Sequence, residues 1–154
     1  MASPQVGDPA PDFELEGTDG PFRLSGHRGE RVVLLFYPGD NTAVCTRQFC
    51  SYRDEAEGFD ALEATVVGIS TQSVESHRDW TAKHGLTVPL LADPRGKVAK
   101  AYGAHRALGG ATRAVVIVDE QGTVGHRHDH MLGLDYQTVD DLREALDSMP
   151  RARV

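Results

Sequence analysis

Two cysteines, Cys45 and Cys50, make up the thiol complement of the chain, and four residues separate them inside PGDNTAVCTRQFC (38–50). Thiols so placed can ligate a metal, sit as an incidental pair, or react. The residues before Cys45 favour reaction. Pro38 and Gly39 end an apolar run, and Asp40, Asn41 and Thr42 are residue types that start helices. Cys45 is therefore predicted in the opening turn of a helix, where free backbone N–H groups and the helix dipole favour an anion, and the anionic thiolate is the nucleophile. Burial opposes that charge, so a cation is needed nearby. Arg47 is local, but Arg113 is the better candidate: it begins another apolar run, and neighbouring strands of a sheet bring their ends together.

Cys50 adds a geometric condition. In a regular helix, five positions correspond to a rise of about 7.5 Å and a rotation of about 140°, which puts the two Cα atoms about 8.6 Å apart. A disulfide needs them within roughly 7 Å. If the helix is regular through both residues, a bond between them requires local unwinding and is a transient state.

The elements that must position these residues follow from apolar patterning. VVLLF (32–36), TVVGI (65–69) and VVIV (115–118) are short, nearly continuous apolar runs, the signature of strands buried on both faces. A helix is predicted over about 41–62 between the first two. Ser73 caps another that runs through Trp80 and is ended by Gly85, and a short one covers 97–102. DEQG (119–122) turns the third run into a strand over 123–128, forming an antiparallel hairpin. Val139, Leu142, Leu146 and Met149 form the apolar stripe of a closing helix. Near the start, FEL and FRL flank GTDG as a small hairpin, and residues 1–11, with three prolines, read as an irregular arm. The order predicts one domain, 1–154, an α/β sandwich of thioredoxin-like arrangement with a mixed central β-sheet flanked by helices and an N-terminal β-hairpin.

Composition narrows the partners. The 23 acidic and 16 basic residues give a net charge of -7, which argues against nucleic acid or an anionic membrane. The N-terminal MASPQVGDPAPDFEL has no basic segment followed by an apolar run, and nothing elsewhere approaches the roughly 18 apolar residues of a membrane span. The expectation is a cytoplasmic protein, where a permanent disulfide is unfavoured. A monomer is expected, because the pattern shows no long exposed apolar patch.

PGDNTAVC (38–45) fits the Pro-x-x-x-Thr-x-x-Cys motif of peroxiredoxins, and the Cys45-x4-Cys50 spacing resembles the Q type, also called bacterioferritin comigratory protein, an atypical two-cysteine group. The resemblance extends through GDPAPDF (7–13), FYP (36–38), HGLTVPLLAD (84–93) and the stretch from Arg113 to Asp119. It implies a thiol-dependent peroxidase acting on hydrogen peroxide and organic hydroperoxides. Cys45 would be the peroxidatic nucleophile and Cys50 the resolving cysteine. Arg113 would hold the thiolate and orient the peroxide, Thr42 would hydrogen-bond the peroxide and the thiolate, and Pro38 would shield the site from water. A thioredoxin-like protein would reduce the resulting disulfide, and no metal, flavin or haem is implied. Gln48 departs from the pattern, since some relatives carry Glu there, so a neutral amide replaces a charge.

Other readings stand beside this one. Thr42 suits a helix N-cap and Pro38 a strand end without any catalytic role. His126, His128 and His130 alternate and would share one strand face, where three imidazoles can bind a transition metal. Arg127 and Asp129 leave that segment without an apolar side, which favours a solvated strand end. Trp80 and Tyr102 suit packing, and RDEAE (53–57) a solvated helix face. A thioredoxin-fold thiol-disulfide oxidoreductase would ordinarily use Cys-x-x-Cys, which is absent. A Cys/His metal-binding module prefers ligand pairs two to four residues apart, and no second pair accompanies this one.

Overall fold

A computed structural model describes residues 3–106, 110–130 and 136–150. The small hairpin is present as β1 (Glu14–Leu15) and β2 (Phe22–Arg23), followed by a 3-10 turn at Leu24–His27. The central sheet is formed by β3 (Val32–Phe36), β4 (Thr65–Ser70), β5 (Leu90–Ala92), β6 (Ala114–Val118) and β7 (Val124–Asp129), in the order β5-β4-β3-β6-β7. β3 and β5 run parallel to β4, whereas β6 runs antiparallel to both β3 and β7, so the sheet is mixed as expected. Every residue of β3 and β6 is buried. Val33 and Leu35 face one apolar core with Val115 and Ile117, while Val32, Leu34 and Phe36 face a second with Val116 and Val118. A strand packed on both faces has no polar side to show, which explains the unbroken apolar runs.

The first core lies under α1 (Ala43–Asp54), α3 (Val74–His84) and α5 (Val139–Ser148), and the second under the hairpin and α4 (Lys97–Ala101). The helix predicted over 41–62 is two helices. Glu55 leaves helical geometry at φ -102, ψ 43, and α2 (Ala56–Asp60) restarts at an angle that brings Phe59 to 5.3 Å from Tyr52, ring to ring. α3 extends one turn past Trp80 to Gly85, whose left-handed φ of 61 ends it, and Ser73 Oγ accepts the Ser76 N–H at its start. α5 opens with a reciprocal capping box between Thr138 and Asp141.

β5 was not apparent in the sequence pattern: three residues after Pro89 are too few to show a period. The N-terminal segment covers this edge strand. The Ala92 N–H donates to Glu16 O at 2.8 Å, and the Thr18 N–H donates to Leu90 O at 2.9 Å. Gly17 makes the approach possible, since a Cβ there would stand 2.6 Å from Leu91 Cδ2. Residues 3–13 form no helix or strand, and they follow β7 through bonds such as Gly7 N–H to Val124 O at 2.9 Å. Among the described residues, no helix is long and apolar enough to cross a membrane.

Candidate active site

The register of the sheet assembles the site. Phe36, at the end of β3, pairs with Ala114, at the start of β6, so the loop leaving β3 and the residue entering β6 meet. That residue is Arg113. The loop, residues 38–42, feeds α1, and Thr42 is its N-cap with extended geometry (φ -80, ψ 151). The Thr42 side chain does not cap the helix. Its hydroxyl instead donates to Gly39 O at 2.9 Å and closes the loop on itself. Cys45 follows in the first turn, as expected, with no exposed surface.

Arg113 Nη2 donates to Cys45 Sγ at 3.1 Å. Its Nη1 donates to Gln48 Oε1, Gln48 Nε2 donates to the Tyr52 hydroxyl at 2.9 Å, and that hydroxyl donates to Gln137 O at 2.6 Å. Arg113 and Gln48 are 2% and 1% exposed, and Tyr52 is fully buried, so the whole relay is sheltered from water. Burial pushes the Tyr52 phenol above its ordinary range and keeps it a neutral donor. A guanidinium does not give up its proton inside a protein. Among the described residues, no carboxylate forms an ion pair with Arg113. Its acceptors among the described residues are the Cys45 sulfur and the Gln48 amide oxygen.

The arrangement invites comparison with known proteins. The AhpC/TSA family model matches residues 6–127. The chain belongs to this family. Over 126 residues it is 36% identical to peroxiredoxin Bcp of Bacillus subtilis, covering 77% of this chain and 80% of the relative. Chloroplastic peroxiredoxin Q of Sedum lineare is 40% identical over 121 residues, covering 77% of this chain and 65% of the relative. The crystal structure of peroxidoxin BcpB from Mycobacterium tuberculosis matches with a TM-score of 0.84 at 31% identity, covering 96% of this chain and 99% of that one. The protein is thus a peroxiredoxin, a thiol-dependent peroxidase on a thioredoxin-like fold.

In this peroxiredoxin both cysteines lie in α1 and both are free. Helix geometry therefore holds their Cα atoms about 8.6 Å apart, and closing the bond requires the turn between them to open. That turn is anchored. Phe49 is fully buried, with its ring 4.9 Å from Tyr37 and 5.5 Å from Trp80, and Trp80 Nε1 donates to Thr46 Oγ1 at 3.3 Å. Cys50 is half-buried against the same core. Pro38 is half-buried beside fully buried Tyr37, and Arg47 is exposed, leaving Arg113 as the cation that reaches Cys45.

No group of three or more His, Cys, Asp or Glu placed to hold a metal occurs among the described residues, His126, His128 and His130 included. The rings of His128 and His130 are in edge contact at 4.5 Å, while His126 is half-buried on β7 and its imidazole is shifted towards the neutral form, first by burial and then by His128. Sequence reasoning missed Tyr52. Its four-residue spacing from Gln48, which puts both on one helix face, was the available signal. Gln137 lies too far along the chain to give any.

Proposed function

We propose that Cys45 is the peroxidatic thiol and Cys50 the resolving thiol of a peroxide-reducing cycle. The observation that carries this reading is the Arg113 Nη2 hydrogen bond to Cys45 Sγ at 3.1 Å, in a buried first helical turn, with no carboxylate among the described residues paired to the guanidinium. The Cys45 thiolate attacks one peroxide oxygen, and the O–O bond breaks. The departing oxygen takes a proton and leaves as water, or as alcohol from an organic hydroperoxide, and the sulfur is oxidised by two electrons to a sulfenic acid. Arg113 and the amides of the first turn supply donors for the charge that grows on the departing oxygen, the Thr42 hydroxyl joins them by exchanging its bond to Gly39 O for one to the peroxide, and Pro38 restricts water at the loop. The turn 45–50 then opens, the Cys50 thiolate attacks the sulfenic sulfur, and hydroxide leaves as water. A thioredoxin-like dithiol restores both thiols by exchange. Every electron in this cycle comes from thiols.

The reading includes a monomeric enzyme in the reducing cytoplasm. It is supported by the apolar surface: Val6 is the one large hydrophobic side chain exposed among the described residues. A sizing column tests the monomer.

The deciding experiment is stopped-flow oxidation by hydrogen peroxide of the wild type, Cys45→Ser and Cys50→Ser. Cys45→Ser is expected to lose the fast phase. Cys50→Ser is expected to keep it and to form no intramolecular disulfide. Equal rates in all three proteins would refute the assignment.

A further inference from the structure

Among the described residues outside the Cys45–Arg113 relay, Arg31, Asp93, Asp40, His77 and Arg127 have buried side chains; Arg127 bonds Asp129 and main-chain carbonyls, and two of the others complete helix ends. Arg31 donates to Leu146 O and Met149 O at the end of α5, and Asp93 accepts the Val98 and Ala99 N–H groups at the start of α4. The other two, Asp40 and His77, are 1% and 0% exposed and serve no helix terminus. They meet beneath the loop that carries Pro38 and Thr42.

Asp40 Oδ2 accepts from His77 Nδ1 and from Ser76 Oγ, each at 2.7 Å, and Oδ1 accepts from the Tyr37 hydroxyl at 2.8 Å. The Asp40 N–H donates to Gln72 Oε1 at 3.1 Å. On the far side of the ring, His77 Nε2 stands 3.0 Å from Leu91 O in β5. A neutral imidazole donates from one nitrogen and accepts at the other. Here Nε2 faces a main-chain carbonyl, which has no proton to give, so the ring donates there, while Nδ1 faces Asp40 Oδ2 with the Tyr37 hydroxyl farther off at 3.4 Å. Both ring nitrogens are satisfied when Nε2–H is donated to Leu91 O and one proton lies in the short contact between Nδ1 and Asp40 Oδ2. Burial pushes the Asp40 carboxyl up, but the bonds from His77, Ser76 and Tyr37 outweigh it and hold the group below its ordinary range.

The pair bears on chemistry through the loop it holds. Asn41 stands in the left-handed region at φ 64, a conformation that persists where the surroundings impose it. The four bonds at Asp40 fix the residue immediately before Asn41. α3 also acts twice, one turn apart: His77 fixes the loop, and Trp80 fixes the start of α1 through Thr46. We propose that His77 is a positioning residue for the peroxide reaction, clamping Asp40 between α3 and β5 so that Thr42 and Pro38 are held in register with Cys45. This rests on the proposed roles of Thr42 and Pro38, and it goes further in naming what sets their place.

Two measurements test it. In the unmutated reduced protein at neutral pH, long-range nitrogen–proton NMR correlation is expected to show a proton held on His77 Nε2 and one in the Nδ1–Asp40 bond; a bare Nε2, or no proton between Nδ1 and Asp40, overturns the proposal. In a Cys50→Ser background, His77→Gln and Asp40→Asn are expected to slow oxidation of Cys45 by hydrogen peroxide about ten- to a hundredfold, the size that a misplacement of roughly 1 Å produces. Alkylation of Cys45 by iodoacetamide, which needs the thiolate but not Thr42, is expected to keep its rate. Ser76→Ala, which removes one bond and no charge, should cause a smaller loss in the same direction. Wild-type peroxide rates in the variants, or equal losses in both reactions, overturn the positioning role. Failure of the Cys50→Ser parent to react with peroxide would instead count against the cycle itself, leaving the NMR result to stand alone.

Discussion

Arg113 is held from both sides of its guanidinium, by Cys45 and by Gln48, so the contribution of Gln48 to reactivity should pass entirely through Arg113. Arg113→Ala removes a charge-assisted bond to the sulfur, worth about 1.5–3 kcal/mol. At 1.36 kcal/mol per factor of ten, the peroxide rate constant should fall about 10- to 150-fold. Gln48→Ala keeps the guanidinium but frees its Nη1, at a cost to positioning of about 1 kcal/mol, or about fivefold. If Gln48 acts through Arg113, adding Gln48→Ala to Arg113→Ala should slow the reaction no further, and the cycle should show a coupling of about 1 kcal/mol. The chain supplies its own probe: Trp80 is its single tryptophan, bonded to Thr46 immediately after Cys45. Stopped-flow tryptophan fluorescence under excess hydrogen peroxide reads each rate directly. Additive losses, with Gln48→Ala still costing about fivefold without Arg113, would refute the relay.

Two further outcomes follow from the same geometry. Phe49→Ala removes the core anchor of the turn that must open, so it should destabilise the protein by about 3–5 kcal/mol in denaturant unfolding while speeding disulfide closure after oxidation; slower closure would mean that Phe49 guides the opened turn instead of restraining it. For Asp40, the folded carboxyl titrates below its ordinary value of 3.8, so its contribution to stability is present in full above that pH and is lost as pH falls through the lower folded value. The stability difference between wild type and Asp40→Asn should therefore be steady near neutrality and shrink below about pH 4, and a difference that grows on acidification would reverse the sign of the argument.

The separate elements were legible because their causes are local. Continuous apolar runs marked β3, β4 and β6, and Ser73 and Gly85 marked the ends of α3. The spacing of Cys45 and Cys50 on one regular helix was enough to predict that the thiols stand apart, and the structure keeps both in α1 and unbonded. Even Arg113 could be named from sequence, because ends of adjacent strands meet in any sheet and the Phe36–Ala114 register brings this one to Cys45. Where the pattern failed, the interaction was short or distant. β5 is three residues long, and the helix predicted over 41–62 breaks at Glu55 so that Phe59 can reach Tyr52.

What tertiary structure alone decided is how the charges are balanced. No periodicity or spacing relates Asp40 to His77, or Tyr52 to the carbonyl of Gln137, because these bonds join residues 37 and 85 positions apart. They form because burial removes water from polar groups and each must then find a partner wherever the packed elements present one. The residue types at Cys45, Thr42 and Arg113 determined which chemistry was available. The packing of α3, β5 and α5 around them decided which groups hold the reacting ones in place.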